Sequence, residues 1–403
     1  MTRRFQRIRR FHFNLPQRIA AGLLGVFLIQ GLWLIAHQPP SERDYQYARC
    51  GREMWERPLQ LGGSFTSCGN IPDGVLAYRL AGLPLTLNLL AERVLDHFRS
   101  PDDRVVQTQG ELSSWELRHQ LRYTLLLLRL PFLAAGCLLG GCLWWVTRRL
   151  YGNLGGYTAL AFYCFSPAVL RACVTPTPEA LAALGVFGGV YTCIGVAHAM
   201  QGPRRKWRPR IVLLTAIFAV AAAAHIAALL VAALAGLALM LWVAEGRRSQ
   251  VLPLVLIATA GALALLFACY GFSPQAFGAL FRSPAGLLGI SLEPARRFFS
   301  TLSNAGTALA TAAALALYLS ARRLRYFGNS APLLCVLVLF LLVAKGAPGA
   351  APWLWGMTFL FTFVGGVFAD AYESRRGRLA LGAAAVLVLL QAVLCVLSLP
   401  GLL

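Results

Sequence analysis

Residues 211–243 read IVLLTAIFAVAAAAHIAALLVAALAGLALMLWV, an apolar run that contains no Asp, Glu, Lys or Arg. A single α-helix over this run would be about 50 Å long, at about 1.5 Å per residue. The hydrocarbon core of a bilayer is only about 30 Å thick. The run is therefore either one overlong span or two short antiparallel spans divided near residues 222–225, and the rest of the chain decides between them.

The whole chain has the composition of a polytopic membrane protein. Of its 403 residues, 58% are hydrophobic and 13% are charged, whereas soluble domains are about 25% charged. Apolar runs long enough to cross a bilayer recur throughout, and the sequence lacks the short alternating strands of outer-membrane barrels. We predict an all-α membrane bundle of about eleven spans, over residues 19–36, 121–146, 154–171, 178–199, 211–223, 226–243, 251–271, 304–319, 331–345, 352–369 and 379–398.

The net charge of +21 is distributed asymmetrically between the predicted loops. The loops on the side of the N-terminus hold 21 of the 37 basic residues, against three acidic ones. This positive-inside pattern predicts a cytoplasmic N-terminus in a bacterial inner membrane. Dividing 211–243 into two spans keeps the later basic clusters at 322–325 and 375–378 on that side, so we adopt the division. The basic residues then indicate topology and contact with anionic membrane lipids, and no nucleic-acid partner is expected.

The domain organisation follows from the two long outer segments. We distinguish a basic cytoplasmic N-terminus (1–18), a core (19–200) that contains the periplasmic loop 37–120, and C-terminal spans (201–403) that contain the periplasmic segment 272–303. Within the first loop we predict an amphipathic helix near 41–58 and an apolar helix near 74–98 in the plane of the membrane interface.

The ten cysteines include no CxxC pair and so do not indicate a zinc site. Cys50 and Cys68 share the first periplasmic loop, where an oxidising environment would permit a disulfide. We expect free thiols, with the disulfide as the alternative.

The stretch SERDYQYARCGREMW (41–55) follows the first span and begins with a capping-box pattern. In that pattern the Ser41 hydroxyl and the Asp44 carboxylate each bind the other residue's backbone amide, which would start a helix. A carboxylate at the membrane surface is also placed to take a proton from an acceptor hydroxyl. Both roles are open for Asp44 from the residues alone.

Residues 129–199 add a series of motifs in a defined order. Arg-Leu-Pro opens the second span, RRLYGNLGGYTAL (148–160) crosses a cytoplasmic turn, SPAVLR (166–171) ends the third span, and TPTPEALAAL (175–184) starts the fourth. With DYQYARCGREMW (44–55) upstream, the chain over about 15–200 resembles the GT-C superfamily of membrane glycosyltransferases. The likeness is to the glycosyltransferase family 39 branch, which includes protein mannosyltransferases and lipid A aminoarabinose transferases.

The resemblance implies a hexosyltransferase that moves a sugar from a polyprenyl-phosphate donor to a lipid, glycan or protein hydroxyl at the periplasmic face. It makes Asp44 the catalytic base, with Glu42 as a second candidate, and places Glu179 beside the donor phosphate or a divalent metal ion. We assign no residue as a metal ligand. His225 falls where related chains carry a Lys that could meet the phosphate, although a lone His at a helix break is commonly structural.

Two arginines are further candidates for binding the leaving phosphate. Arg129 lies inside the second span, where ionisable groups usually face a protein interior or a wet cavity. Arg171 ends the third span, where it could clamp a phosphate or extend to the interface. The alternative function is a non-catalytic GT-C-like subunit or scaffold of a membrane complex, and a transporter ranks third.

Overall fold

The computed structural model describes residues 14–56, 68–69, 71, 73–98, 114–202, 207–282, 287–320, 326–345, 351–373 and 377–403. Most of the basic N-terminus and parts of the loop 37–120, which is predicted to be periplasmic, therefore lie outside the described residues. The helices are α1 (Leu15–His37), α2 (Glu42–Glu56), α3 (Val75–Phe98), α4 (Ser114–Cys164), α5 (Pro167–Val174), α6 (Glu179–Met200), α7 (Arg208–Ala224), α8 (Ile226–Val243), α9 (Val251–Cys269), α10 (Pro274–Arg282), α11 (Glu293–Ser300), α12 (Ala305–Ser320), α13 (Tyr326–Leu341), α14 (Pro352–Tyr372) and α15 (Gly377–Ser398).

The predicted all-α membrane class is confirmed. Among the described residues, eight helical segments are long and apolar enough to cross a membrane: Leu15–His37, Leu121–Cys164, Glu179–Met200, Ile226–Val243, Arg248–Cys269, Leu302–Ser320, Pro352–Tyr372 and Gly377–Leu402. Shorter apolar helices cover Val75–Ala91 and Gly328–Leu341. The number of eleven spans stays a prediction.

The apolar run at 211–243 is divided at the predicted place. His225 has an extended backbone (φ −151°, ψ 132°) between α7 and α8. Neither Pro nor Gly causes this break, so tertiary packing must support it. Small residues allow that packing: a Cβ on Gly185 of α6 would lie 2.6 Å from Ala221 of α7. Such close helix approach through small residues is typical of membrane bundles.

The predicted third span, 154–171, is not one continuous helix. The long α4 bends at Gly152, whose φ of 79° suits glycine, and it ends at Cys164, with two residues between it and α5. The broken turn is supported by Gln391 of α15, whose Nε2 donates to the Phe165 carbonyl at 3.0 Å and to the Ser303 carbonyl at 2.9 Å. Backbone polar groups inside a membrane need such internal partners.

The predicted ninth span, 331–345, also needs correction. The helix α13 ends at Leu341, and the next three residues form strand β2 (Leu342–Ala344). This strand pairs antiparallel with β1 (Leu288–Ile290) of the second outer segment, with Leu288 opposite Ala344. The pairing satisfies backbone groups that the helix leaves open at its end.

Helix α14 lies at the centre of the bundle and packs on α4, α6 and α13. Its core side chains include Trp355, Phe359 and Phe361, all fully buried. Close packing on α4 depends on glycine, because a Cβ on Gly365 would lie 2.6 Å from the Gly155 carbonyl oxygen. The first turn of α14 is thereby held in a fixed position at one end of the bundle.

Helices α2 and α3 lie where helices are predicted near 41–58 and 74–98, and they pack against each other. Their position in the membrane interface stays a prediction. A Cβ on Gly82 of α3 would lie 2.2 Å from the Gly51 carbonyl oxygen of α2, so the two backbones nearly touch. Cys50 and Cys68 form a disulfide with a Cα–Cα distance of 6.0 Å. The expectation of free thiols is therefore wrong, because folding brings residue 68 against the buried side of α2.

Candidate functional site

The first polar cluster joins Asp44 of α2 to Arg129 of α4. The two side chains are 2% and 1% exposed. Arg129 Nε donates to Asp44 Oδ1 at 3.0 Å and Nη2 donates to Oδ2 at 2.7 Å, which is a bidentate pair. The guanidinium also donates to the carbonyls of Gln38 and Pro39 after α1. The predicted Arg129 thus ties the end of α1 and the start of α2 to α4.

Asp44 also makes the capping box that the sequence predicts. Its Oδ2 accepts from the Ser41 amide and from the Ser41 hydroxyl, each at 2.7 Å. Burial alone would raise the pKa of Asp44, but the hydrogen bonds from Arg129 and Ser41 lower it below the ordinary value. An ionised, fully bonded carboxylate of low pKa is a strong anchor and a weak proton acceptor. The predicted role as catalytic base stays a prediction.

The second polar cluster forms around His225, in the turn between α7 and α8. His225 Nδ1 lies 2.6 Å from Asp73 Oδ2, and Nε2 lies 3.2 Å from Glu179 Oε1. All three side chains are less than a tenth exposed. The predicted residues Glu179 and His225 are therefore brought together, and Asp73 completes the cluster.

Each carboxylate of this cluster is oriented by a helix end. Asp73 Oδ1 accepts from the Ile226 amide at 3.2 Å and so caps the N-terminus of α8. Glu179 is the first residue of α6, where the helix dipole favours a negative charge. Its Oε1 accepts from the Ala351 amide at 3.0 Å, and its Oε2 accepts from Trp355 Nε1 at 2.7 Å. The first turn of α14 thus closes one side of the cluster.

The charge of the cluster follows from these contacts. Burial lowers the pKa of His225, but the hydrogen bonds to Asp73 and Glu179 more than offset this and raise it to about 9. Both ring nitrogens then donate to carboxylates, and the imidazolium lies between two anions. The divalent ion that the resemblance allows stays a prediction, because both ring nitrogens already contact carboxylates. Across the described residues, no group of three or more His, Cys, Asp or Glu is arranged to hold one.

Tyr47 is a further buried side chain of α2. Its ring stacks on Tyr78 of α3, with centroids 4.0 Å apart and planes 6° from parallel. Burial raises the pKa of Tyr47, and the charges of Glu179 and Asp73 are near enough to raise it further, whereas Arg43 acts in the opposite direction. Tyr47 is therefore one helical turn along α2 from the Asp44 anchor, and the acids of the second cluster act on its pKa.

The remaining predicted residues lie apart from these contacts. Glu42 is exposed on the first turn of α2, and Arg171 is exposed on α5. No described contact joins Arg171 to either cluster. Asp73 was missed by sequence reasoning, although it stands before Gly74 in a turn where the glycine has a φ of 77°. A turn residue whose partners lie over 100 positions away gives no sequence signal of its own.

Neither known family models, nor curated protein sequences, nor solved structures give a match to this chain.

Proposed function

We propose that this chain is a GT-C-type glycosyltransferase that moves a sugar from a polyprenyl-phosphate donor to an acceptor hydroxyl at the outer face of a bacterial inner membrane. One observation supports this most strongly: His225, Asp73 and Glu179 come from three distant segments and meet in a buried cluster of an otherwise apolar bundle. Ionisable groups are costly in such surroundings and usually mark a functional site.

The proposed topology has about eleven spans and a cytoplasmic N-terminus. The cluster then lies at the outer ends of α6, α7, α8 and α14, and α2 and α3 lie along the outer interface. A polyprenyl chain can extend between lipid-facing helices while its phosphosugar reaches this end of the bundle. The donor needs no nucleotide, which agrees with a sequence that contains no P-loop and no dinucleotide-binding glycine pattern.

Asp73 is the better candidate for the base within this cluster. Glu179 accepts from three donors, whereas Asp73 accepts from His225 and the Ile226 amide. The Asp73 carboxylate would take the proton of the acceptor hydroxyl as its oxygen attacks the anomeric carbon. The bond from that carbon to the phosphate oxygen breaks, and polyprenyl phosphate leaves with the electron pair. The His225 imidazolium would stabilise the leaving phosphate.

The roles of Asp44 and Arg129 change in this proposal. Their bidentate pair leaves Arg129 committed to Asp44 and to two carbonyl groups, so it does not bind the leaving phosphate. The pair instead fixes the start of α2, the helix that also carries Tyr47.

The test uses the purified chain in nanodiscs with a panel of polyprenyl-phosphate hexoses, and measures release of polyprenyl phosphate. Asp73→Asn is expected to slow transfer by at least about 100-fold, the usual contribution of a general base. Glu245→Gln, in an exposed loop at the opposite end of α8, is the matched control and should transfer at the wild-type rate. Full transfer by folded Asp73→Asn protein would refute the assignment.

A non-catalytic subunit of a membrane complex is the second candidate function. One observation favours it: both carboxylate oxygens of Asp44 accept hydrogen bonds from Arg129 or Ser41. The family resemblance would make this acid the catalytic base. This function predicts co-purification with other membrane proteins in fixed stoichiometry, and no consumption of any donor in the panel.

A further inference from the structure

A cavity of about 540 Å³ opens between α11, the strand β2 and the first turn of α14. Its size lies in the usual range of small-molecule sites, about 300–1,000 Å³. The residues used below are Glu293, Arg297, Phe298, Asn304 and Trp353. None of them belongs to the two buried clusters.

The floor of the cavity is aromatic. The rings of Phe298 and Trp353 have centroids 5.6 Å apart and planes 44° apart. Phe340 packs behind Phe298, also at 5.6 Å, and holds that ring in place. An aromatic face carries negative charge density and attracts the positively polarised C–H groups of a sugar ring.

The rim of the cavity offers hydrogen-bonding groups with no net charge. Arg297 Nε donates to Glu293 Oε1 at 2.7 Å, and the two side chains are 79% and 53% exposed. Both can therefore reach a ligand, while their charges cancel. Asn304 is buried beneath them, and its Nδ2 donates to the Phe298 carbonyl at 3.2 Å. The charges of the residues that line the cavity therefore balance, which suits sugar hydroxyls better than a phosphate; Arg296 and Lys345 are near in sequence but do not line it.

Three exposed apolar side chains are close in sequence to residues that line the cavity. Ile290, Leu292 and Leu302 are 84%, 70% and 76% exposed, and each lies within two residues of a residue that lines it. An apolar border beside a polar, aromatic cavity suits a ligand that has a lipid tail and a polar headgroup. Large apolar surface that is left open usually marks contact with a partner or a membrane.

The cavity is connected to the His225 cluster through α14. Trp353 lines the cavity, and Trp355 donates to Glu179. Residues two apart on an α-helix point about 200° apart, because each residue turns the helix by about 100°. The cavity and the buried acids thus lie on opposite sides of the same helical turn.

We propose that this cavity binds the saccharide headgroup of a glycolipid, recognised as a neutral hexose unit. It is a second site, distinct from the proposed transfer site, and its occupancy can be measured without turnover. Failure of binding and failure of transfer are therefore distinguishable.

The test is equilibrium binding of radiolabelled octyl β-glucoside, below its critical micelle concentration, to the full chain in phospholipid nanodiscs. Tetraethylene glycol mono-octyl ether and octyl phosphate are the competitors with the same tail. We expect saturable glucoside binding that is at least about tenfold tighter than that of either competitor. Absence of saturable binding, equal competition by the ether, or tighter binding of the phosphate would overturn the proposal.

Variants locate the binding. Trp353→Leu should weaken binding by about tenfold or more, as for truncation of an aromatic anchor. Trp145→Leu, at an exposed Trp of α4, is the control and should bind normally. Because Trp353 also packs in the fold, the exposed-pair variant Glu293→Gln/Arg297→Gln gives an independent test and should weaken binding as well. Wild-type affinity in both the Trp353 variant and the pair variant would refute the site.

The source of the saccharide is distinguished by two further competitors. A polyprenyl-phosphate hexose represents the donor, and glucosyl diacylglycerol represents a neutral lipid acceptor. Displacement of the labelled glucoside by one of them supports the site and identifies which glycolipid enters it. Displacement by neither would overturn the proposal.

Discussion

The pairing of Asp44 with Arg129 determines what each residue can do. Two buried charges that satisfy each other cost little together, but removing one leaves the other unpaired in an apolar environment. The main role of this bidentate pair, which also bonds to two carbonyl groups and to Ser41, is therefore to stabilise the fold. The sequence singled out both residues, yet it gave no indication that they bind each other across 85 positions.

Asp44→Ala is expected to lower the free energy of unfolding by about 3–5 kcal/mol, the usual cost of breaking a buried pair. The double variant Asp44→Leu/Arg129→Met should recover much of that loss, because no unpaired charge remains. Thermal unfolding in detergent measures both effects. Glu42→Ala, an exposed acid two residues earlier, is the control and should change stability by no more than about 0.5 kcal/mol. An unchanged unfolding temperature in Asp44→Ala would contradict the anchor role.

His225 predicts a dependence of stability on alkaline pH. Its pKa in the folded protein is raised to about 9, above the value of about 6.5 for an unfolded chain. The stabilisation is therefore complete below about pH 6.5 and is lost as the pH rises through about 9. Wild-type protein should unfold at a progressively lower temperature between pH 6.5 and 9.5. The unfolding temperature of His225→Gln should lack this dependence on pH. If the unfolding temperatures of both proteins fall equally with rising pH, the imidazolium is not buried as described.

At the scale of elements, packing contacts decide where helices stop. The division at His225 was predictable for two reasons. The apolar run is too long for one span, and the basic loops before and after it can lie on the same side of the membrane only if the run crosses twice. The break after Cys164 was not predictable. The carbonyl of Phe165 in this break accepts a hydrogen bond from Gln391, which lies 226 positions later in the chain. The strand β2 was also missed, because its three apolar residues fit the helical pattern of α13. Only the pairing with β1, from a distant part of the chain, makes them a strand.

The contact between α2 and α3 gives a prediction for a single methyl group. A Cβ on Gly82 would lie 2.2 Å from the Gly51 carbonyl oxygen, and neither backbone can move without separating the helices. Gly82→Ala should therefore destabilise the protein by about 1–3 kcal/mol, as overpacking does. Gly22→Ala on α1 is the control, because nothing lies within 4 Å of its added Cβ. Equal unfolding temperatures for the two variants would disprove the close approach.

At the scale of the whole molecule, the charge asymmetry predicts which end of the bundle faces the cytoplasm. Composition and loop charge were sufficient to predict an all-α membrane protein. Any helix that crosses lipid must be long and apolar, whichever other helices it packs against. They were not sufficient for the site, whose acids and histidine are adjacent only after the helices pack.

Topology is tested with introduced cysteines in intact cells. Glu42→Cys should react with a membrane-impermeant maleimide from outside, and Glu245→Cys should react only after permeabilisation. Both residues are exposed, so the two variants are matched in accessibility. Wild-type protein measures the background from its native cysteines. The reverse labelling pattern would overturn the cytoplasmic N-terminus.

The link between Cys50 and Cys68 has a consequence for how the protein matures. Asp73 comes five residues after Cys68, so the crosslink attaches the acid of the His225 cluster to α2. The helices can insert into the membrane before this link exists, and its closure would then limit how far Asp73 can move from α2. Newly inserted chains would therefore hold the acid of the His225 cluster more loosely than chains in which the two cysteines are joined.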